Sequence, residues 1–120
     1  MATILVVDDS TTMRQMVCFT LTSAGHDVVE AADGQQGVEA AKQGKFDLVI
    51  TDVNMPVMNG IELVRALRAL PDYKFIPMLV LTTESDQSIK QRGREAGATG
   101  WIVKPFSPDV LLNTLGKVLD

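Results

Sequence analysis

The chain has 120 residues, 46% of them hydrophobic and 22% charged, which is enough for one soluble globular domain with an ordinary core. Eleven basic against fifteen acidic residues give a formal net charge of −4, leaving no basic excess to meet nucleic-acid phosphates. The single Cys18 excludes an internal disulfide, and the opening apolar run at residues 4–7 is too short for a signal peptide or membrane span, so a cytoplasmic protein is expected.

Residues 4–7 read as a first buried strand, ended by Asp8 and Asp9. Ser10 is placed to cap a helix whose apolar positions Met13, Val17, Leu21 and Ala24 recur at helical spacing, with Gly25 at C′. His26, the only histidine, reads as a surface loop residue, and residues 27–30 make a short second strand. Asp33 and Gln36 resemble a capping box for a helix carrying Val38 and Ala41 and closed by Gly44. Leu48, Val49 and Ile50 form the kind of run that fills a strand buried on both faces. That run stops at Asp52, and Pro56 and Gly60 disfavour any helix before Asn59. Asn59 and Glu62 give a second capping signature, opening a helix with the stripe Leu63, Val64, Leu67 and Leu70. Arg65 and Arg68 lie outside that stripe, and Pro71 stops it. Residues 76–81 are the fourth strand, with Pro77 tolerable near its start, followed by Thr82, Thr83 and Glu84. Residues 86–96, from Asp86, form a helix with a weak apolar face of Ile89 and Ala96, interrupted by Gly93. Residues 101–103 are the fifth strand, ended by Lys104 and Pro105. Ser107, Pro108 and Asp109 are cap, first-turn proline and first-turn acid of a last helix that buries Leu111, Leu112, Leu115, Val118 and Leu119.

Five strands alternating with five helices, with no repeat or linker, argue for a three-layer α/β/α sandwich around a parallel sheet. In such a sheet the carboxyl ends of all strands share one edge, where open α/β sheets hold their ligands. The residues there are Asp8, Asp9, Asp52, Thr82 and Lys104. Each has an ordinary reading alone: the paired acids as helix caps, Asp52 as a turn residue, Thr82 as a turn hydroxyl and Lys104 as a surface charge. Together they are specific. Three carboxylates within about 5 Å repel by about 3 kcal/mol per pair at an effective dielectric of about 20. One lysine does not offset that, so the cluster suits a divalent cation, and oxygen donors without nearby His or Cys favour Mg²⁺ over Zn²⁺.

The set Asp8–Asp9, Asp52 with Pro56 and Gly60, Thr82 and Lys104–Pro105 resembles the receiver domain of two-component response regulators over nearly the whole chain. The resemblance implies a flavodoxin-like, doubly wound five-stranded parallel sheet of order 2-1-3-4-5. It also implies a single receiver domain over residues 1–120 with no output domain. Asp52 is then the phosphoacceptor for a histidine kinase. Asp9 and Asp52 hold Mg²⁺, or Mn²⁺ in its place, through side chains, Asn54 through its backbone carbonyl, and Asp8 largely through water. Thr82 and Lys104 bind the phosphoryl oxygens, and Lys104–Pro105 resembles the family's cis peptide. In the family the hydroxyl at Thr82 moves toward the phosphoryl group and an aromatic residue on the fifth strand turns inward behind it. Trp101 stands there in place of the usual Tyr or Phe, and reads equally as a packing or interface residue. Thr83 is likewise larger than the residue that often follows the switch threonine. Asn54 and Glu84 flank the route of an attacking water and are expected to set the lifetime of the acyl phosphate. Such a protein is not an independent enzyme in the usual sense, although it catalyses its own phosphorylation and dephosphorylation.

Residues 8–17, DDSTTMRQMV, further resemble single-domain chemotaxis regulators of the CheY type, which bind the flagellar motor switch when phosphorylated. The expected partners are a chemotaxis-type histidine kinase, a flagellar motor switch protein or other phosphorylation-dependent target, and a phosphatase, with no nucleic acid and no membrane. The chain is expected to be a monomer that signals through the fourth helix, fifth strand and fifth helix. A phosphate sink or phosphorelay intermediate shares the same site and stays open. A small Mg²⁺-dependent aspartyl phosphatase fits less well, because those enzymes pair two acids as D-x-D, whereas Val53 and Asn54 follow Asp52. A flavin-binding module would need a Ser/Thr/Gly-rich phosphate loop after the first strand, and none is read there.

Overall fold

The computed structural model describes residues 2–55, 57–83 and 87–119. Strands β1 (Thr3–Val7), β2 (Asp27–Ala31), β3 (Leu48–Asp52), β4 (Met78–Thr82) and β5 (Gly100–Val103) form one parallel sheet in the order β2-β1-β3-β4-β5. Helices α1 (Thr11–Ser23), α2 (Gly34–Gln43), α3 (Gly60–Arg68), α4 (Gln87–Ala96) and α5 (Pro108–Leu119) make the crossovers, with a 3₁₀ turn over Pro71–Tyr73. This is the doubly wound, flavodoxin-like topology expected from the sequence.

The period of two in a strand divides the core in two. Leu5, Val7, Val49 and Val80 face one layer, where they meet Ala41, Leu63, Leu67 and Ala96 of α2, α3 and α4. Ile4, Val6, Ile50 and Leu81 face the other, against Val17, Leu21, Leu111 and Leu115 of α1 and α5. Every residue of β3 and β4 is buried, which is why both read as apolar runs rather than alternations. Cys18 is buried as well, and burial pushes its thiol up to about 11, so it is an inert packing group.

Local chemistry accounts for most element boundaries. Ser10 Oγ accepts the Met13 N–H at 3.3 Å to start α1. At its end Gly25, with φ of 95°, lets its N–H reach the Thr22 carbonyl and the His26 N–H reach that of Leu21. Asn59 and Glu62 exchange both bonds of a capping box. Asp33 accepts the Gln36 N–H, but Gln36 Oε1 reaches back to the Ala32 amide, one residue beyond a standard box.

Several expectations are corrected. Helix α3 ends at Arg68, short of Pro71, because Leu70 precedes a proline and is held extended at φ −85° and ψ 132°. Strand β4 starts at Met78 rather than residue 76, since Pro77 has no N–H to give, although its carbonyl accepts the Val49 N–H. His26 is half-buried, and its Nδ1 accepts the Ala2 N–H at 3.0 Å, so it fastens the N-terminus instead of standing free in a loop. Arg68 is no outward charge. Its guanidinium donates to the carbonyls of Gly97, Tyr73 and Ile76 at 2.7–3.0 Å. Pro56, Glu84 and Asp86 lie outside the described residues. Among the described residues, no helix is long and apolar enough to cross a membrane.

Candidate functional site

The parallel register brings the strand ends together. Val7 pairs with Thr51, Asp52 with Leu81 and Thr82 with Val103, so β1, β3, β4 and β5 finish along one edge. Asp8 and Asp9 follow β1, Asp52 and Thr82 close β3 and β4, and Lys104 follows β5. All five residues read from the sequence therefore meet there. Asp8, Asp9 and Asp52 each offer a carboxylate oxygen within 4.8 Å of the others. Asp8 and Asp52 are buried at 2% and 8% exposure, whereas Asp9 is exposed.

Lys104 is not a surface charge. Its side chain is 11% exposed and its Nζ lies 3.3 Å from Asp8 Oδ2 and 3.3 Å from Asp52 Oδ1. The lysine thus bridges two of the three acids and eases their repulsion. Its backbone N–H donates to the Thr82 carbonyl at 2.7 Å, and the Lys104–Pro105 peptide is cis. Thr82 itself is fully buried.

Asp8 does not cap α1, a role that Ser10 takes, but its two oxygens face different partners. Its Oδ1 accepts the Ser10 N–H at 2.9 Å, while its Oδ2 faces Lys104. Asp52 Oδ1 accepts the Val53 N–H at 2.9 Å, and Oδ2 takes no hydrogen bond among the described residues. Burial raises the Asp52 carboxyl above its ordinary range; Lys104 opposes that shift and the Asp8 charge adds to it. The ionised form is therefore under-stabilised, and added positive charge at this edge would relieve it.

Two further residues shape the site. Gly60, a helix breaker and a member of the receiver motif set in the sequence, has a steric role as well: a Cβ there would collide with the Asp52 carbonyl oxygen, and its N–H donates to the Val53 carbonyl. Arg14 is a site-shaping residue that the strand-end pattern does not mark. Its Nη1 donates to the Asp8 carbonyl at 2.6 Å while its Nε pairs with Glu30 at 3.0 Å, fixing the turn that presents Asp8. A lone basic residue one turn into α1 was the only available signal. Asn54 is exposed just beyond Asp52, and Trp101 is half-buried against the core under α4.

The donor set fits a hard divalent cation. It is all oxygen, two of its carboxylates are buried and one is open to solvent, and neither sulfur nor imidazole joins it among the described residues.

Residues 4–116 match the family model described as the response regulator receiver domain. The chain is 43% identical over 120 residues to a chemotaxis protein CheY homolog of Campylobacter jejuni, covering 97% of this chain and 91% of that protein. It is 37% identical over 119 residues to protein PilH of Pseudomonas aeruginosa, covering 99% and 98%. Among solved structures, chemotaxis protein CheY4 of Vibrio cholerae superposes with a TM-score of 0.96 at 54% identity, over 99% of both chains.

Proposed function

Because the chain belongs to the response regulator receiver family and is CheY-like in sequence and fold, we propose that it accepts a phosphoryl group from a histidine kinase onto Asp52 and signals by binding. The observation that carries this reading is the buried Asp52 carboxylate, bridged by Lys104 and grouped with Asp8 and Asp9. A carboxylate oxygen of Asp52 attacks phosphorus in line; the new O–P bond forms as the kinase's P–N bond breaks and the imidazole nitrogen takes a proton. Lys104 transfers its charge from the two acids to the equatorial phosphoryl oxygens. The Thr82 hydroxyl donates to another. Asp8, Asp9, Asp52 and the Asn54 carbonyl would hold Mg²⁺, which supplies the remaining positive charge. Water attacking phosphorus later returns the carboxylate and inorganic phosphate, with Asn54 and Glu84 setting the rate.

The output is assigned to α4, β5 and α5 of a cytoplasmic receiver, and the half-exposed Val103 and Val110 supply apolar contact area on that face. The names of the curated relatives favour a chemotaxis role, and on that reading the target is a flagellar motor switch protein; PilH, also a relative, carries no chemotaxis name. The first test is transfer of labelled phosphate from a phosphorylated histidine kinase. Label should appear on the wild type in Mg²⁺ and vanish with chelator or in Asp52→Asn; label retained by Asp52→Asn would defeat the assignment. A pull-down with Mg²⁺ and beryllofluoride then addresses output. Recovery of a switch protein only in the activated state supports motor control, whereas kinase or phosphotransfer proteins alone, equally in both states, indicate a sink or relay.

A further inference from the structure

Gly93 lies in the middle of α4, where glycine is disfavoured relative to alanine, and it faces inward and is buried. A Cβ built on it would lie 2.7 Å from Cζ3 and 3.4 Å from Cε3 of Trp101, so the helix has no room for even one methyl group over the indole. Trp101 also lines a shallow cleft of about 110 Å³, together with Lys90 and Arg94 of α4 and with Thr99 and Gly100. The indole therefore fills a closed notch in α4 and borders an open space.

We propose that Gly93 is the positioning residue for Trp101: its missing side chain is what lets an indole take the seat beneath α4, and the filled notch couples the phosphorylation site to the α4–β5 surface. The coupling part rests on the reading of Asp52 as phosphoacceptor. The local geometry decides which group yields when the notch is filled. One turn after Gly93, the Gly97 carbonyl is held by both Nε and Nη2 of Arg68, so the helix is anchored close to the contact. The indole has free volume in the cleft. The ring gives way before the helix does. Trp101 is also in register with Val80, two residues before Thr82 on β4, which places the ring one strand and one row from the switch hydroxyl.

Trp101 is the only tryptophan, so its emission reports this position without labelling. In Gly93→Ala the emission should shift to longer wavelength and acrylamide quenching should rise. The melting temperature should fall, although helix propensity alone would raise it. In a Trp101→Leu background the same Gly93→Ala change should instead raise the melting temperature, a reversal of sign that isolates the pair. A stabilised Gly93→Ala with unchanged emission would overturn the notch. For coupling, beryllofluoride with Mg²⁺ is added and adduct formation is scored separately by fluorine NMR. The wild type should form the adduct and change its tryptophan quenching, while Gly93→Ala forms the adduct with the quenching response lost. Equal responses in both proteins would overturn the coupling. Absence of an adduct in the wild type would instead count against Asp52 as acceptor, and would remove the coupling while leaving the melting test to decide the notch.

Discussion

Asp52 is a carboxylate that the fold holds in a poor state for being charged. Burial is the main cause, and Lys104 offsets only part of it. A carboxyl whose pKa is raised on folding binds more protons in the native state, so its ionisation lowers stability as pH rises from about 3.8 through the raised value. At neutral pH in chelator, Asp52→Asn should therefore raise the unfolding free energy by about 1 kcal/mol. The advantage over wild type should shrink on acidification as Asp52 becomes neutral in both states. Urea titrations at two pH values check this, and a variant less stable than wild type at pH 7 would contradict it. Gly60 carries a different kind of constraint, because its Cβ would meet backbone that cannot rotate away. Gly60→Ala should cost about 3 kcal/mol in the same assay, through the β3–α3 turn. The five site residues were legible in the sequence because each terminates an apolar run and a parallel sheet aligns such ends. Arg68 was not, because its partners are carbonyls of residues 73, 76 and 97, which no pattern of side chains announces.

At the level of elements, capping and apolar spacing account for four of the helices, α4 having only a weak apolar face, and the structure departs from the sequence pattern where proline or tertiary contact intervenes. Leu70 had the spacing of a helical residue but precedes Pro71, and it packs on the core from outside α3. The weak face of α4 likewise conceals a real attachment: Arg68 binds the carbonyl at its C-terminal end, and Gly93 receives the indole. Arg68→Met should lower stability by about 2 kcal/mol by leaving three carbonyls without their donors, and Arg68→Lys should not restore it, since an ammonium lacks the guanidinium fork. Chemical denaturation of both variants decides the matter. Gly116, in the exposed part of α5, is the useful contrast, because a Cβ there would meet no atom within 4 Å among the described residues. Gly116→Ala should stabilise by about 1 kcal/mol, and a loss would mean α5 is not helical there in solution.

For the whole molecule, the metal is expected to act as a ligand of the folded state alone. Mg²⁺ at about 100 times its dissociation constant should add about 2.7 kcal/mol to the unfolding free energy, and Asp9→Asn should diminish that gain. Coincident wild-type melts with and without Mg²⁺ would show that the three acids do not bind it. The sheet order explains why so much depends on the complete fold. Lys104 and Asp8 are 96 positions apart in the chain, and β5, which delivers the lysine, is an edge strand and the last of the five.

That separation has a consequence for biosynthesis. A nascent chain that has not yet released β5 from the ribosome carries the acids without their lysine. On the proposed reading, it is an incompetent substrate for the kinase. Truncated or half-folded copies would then draw no phosphate from the pathway and send no message, so the signal counts only molecules that have finished folding.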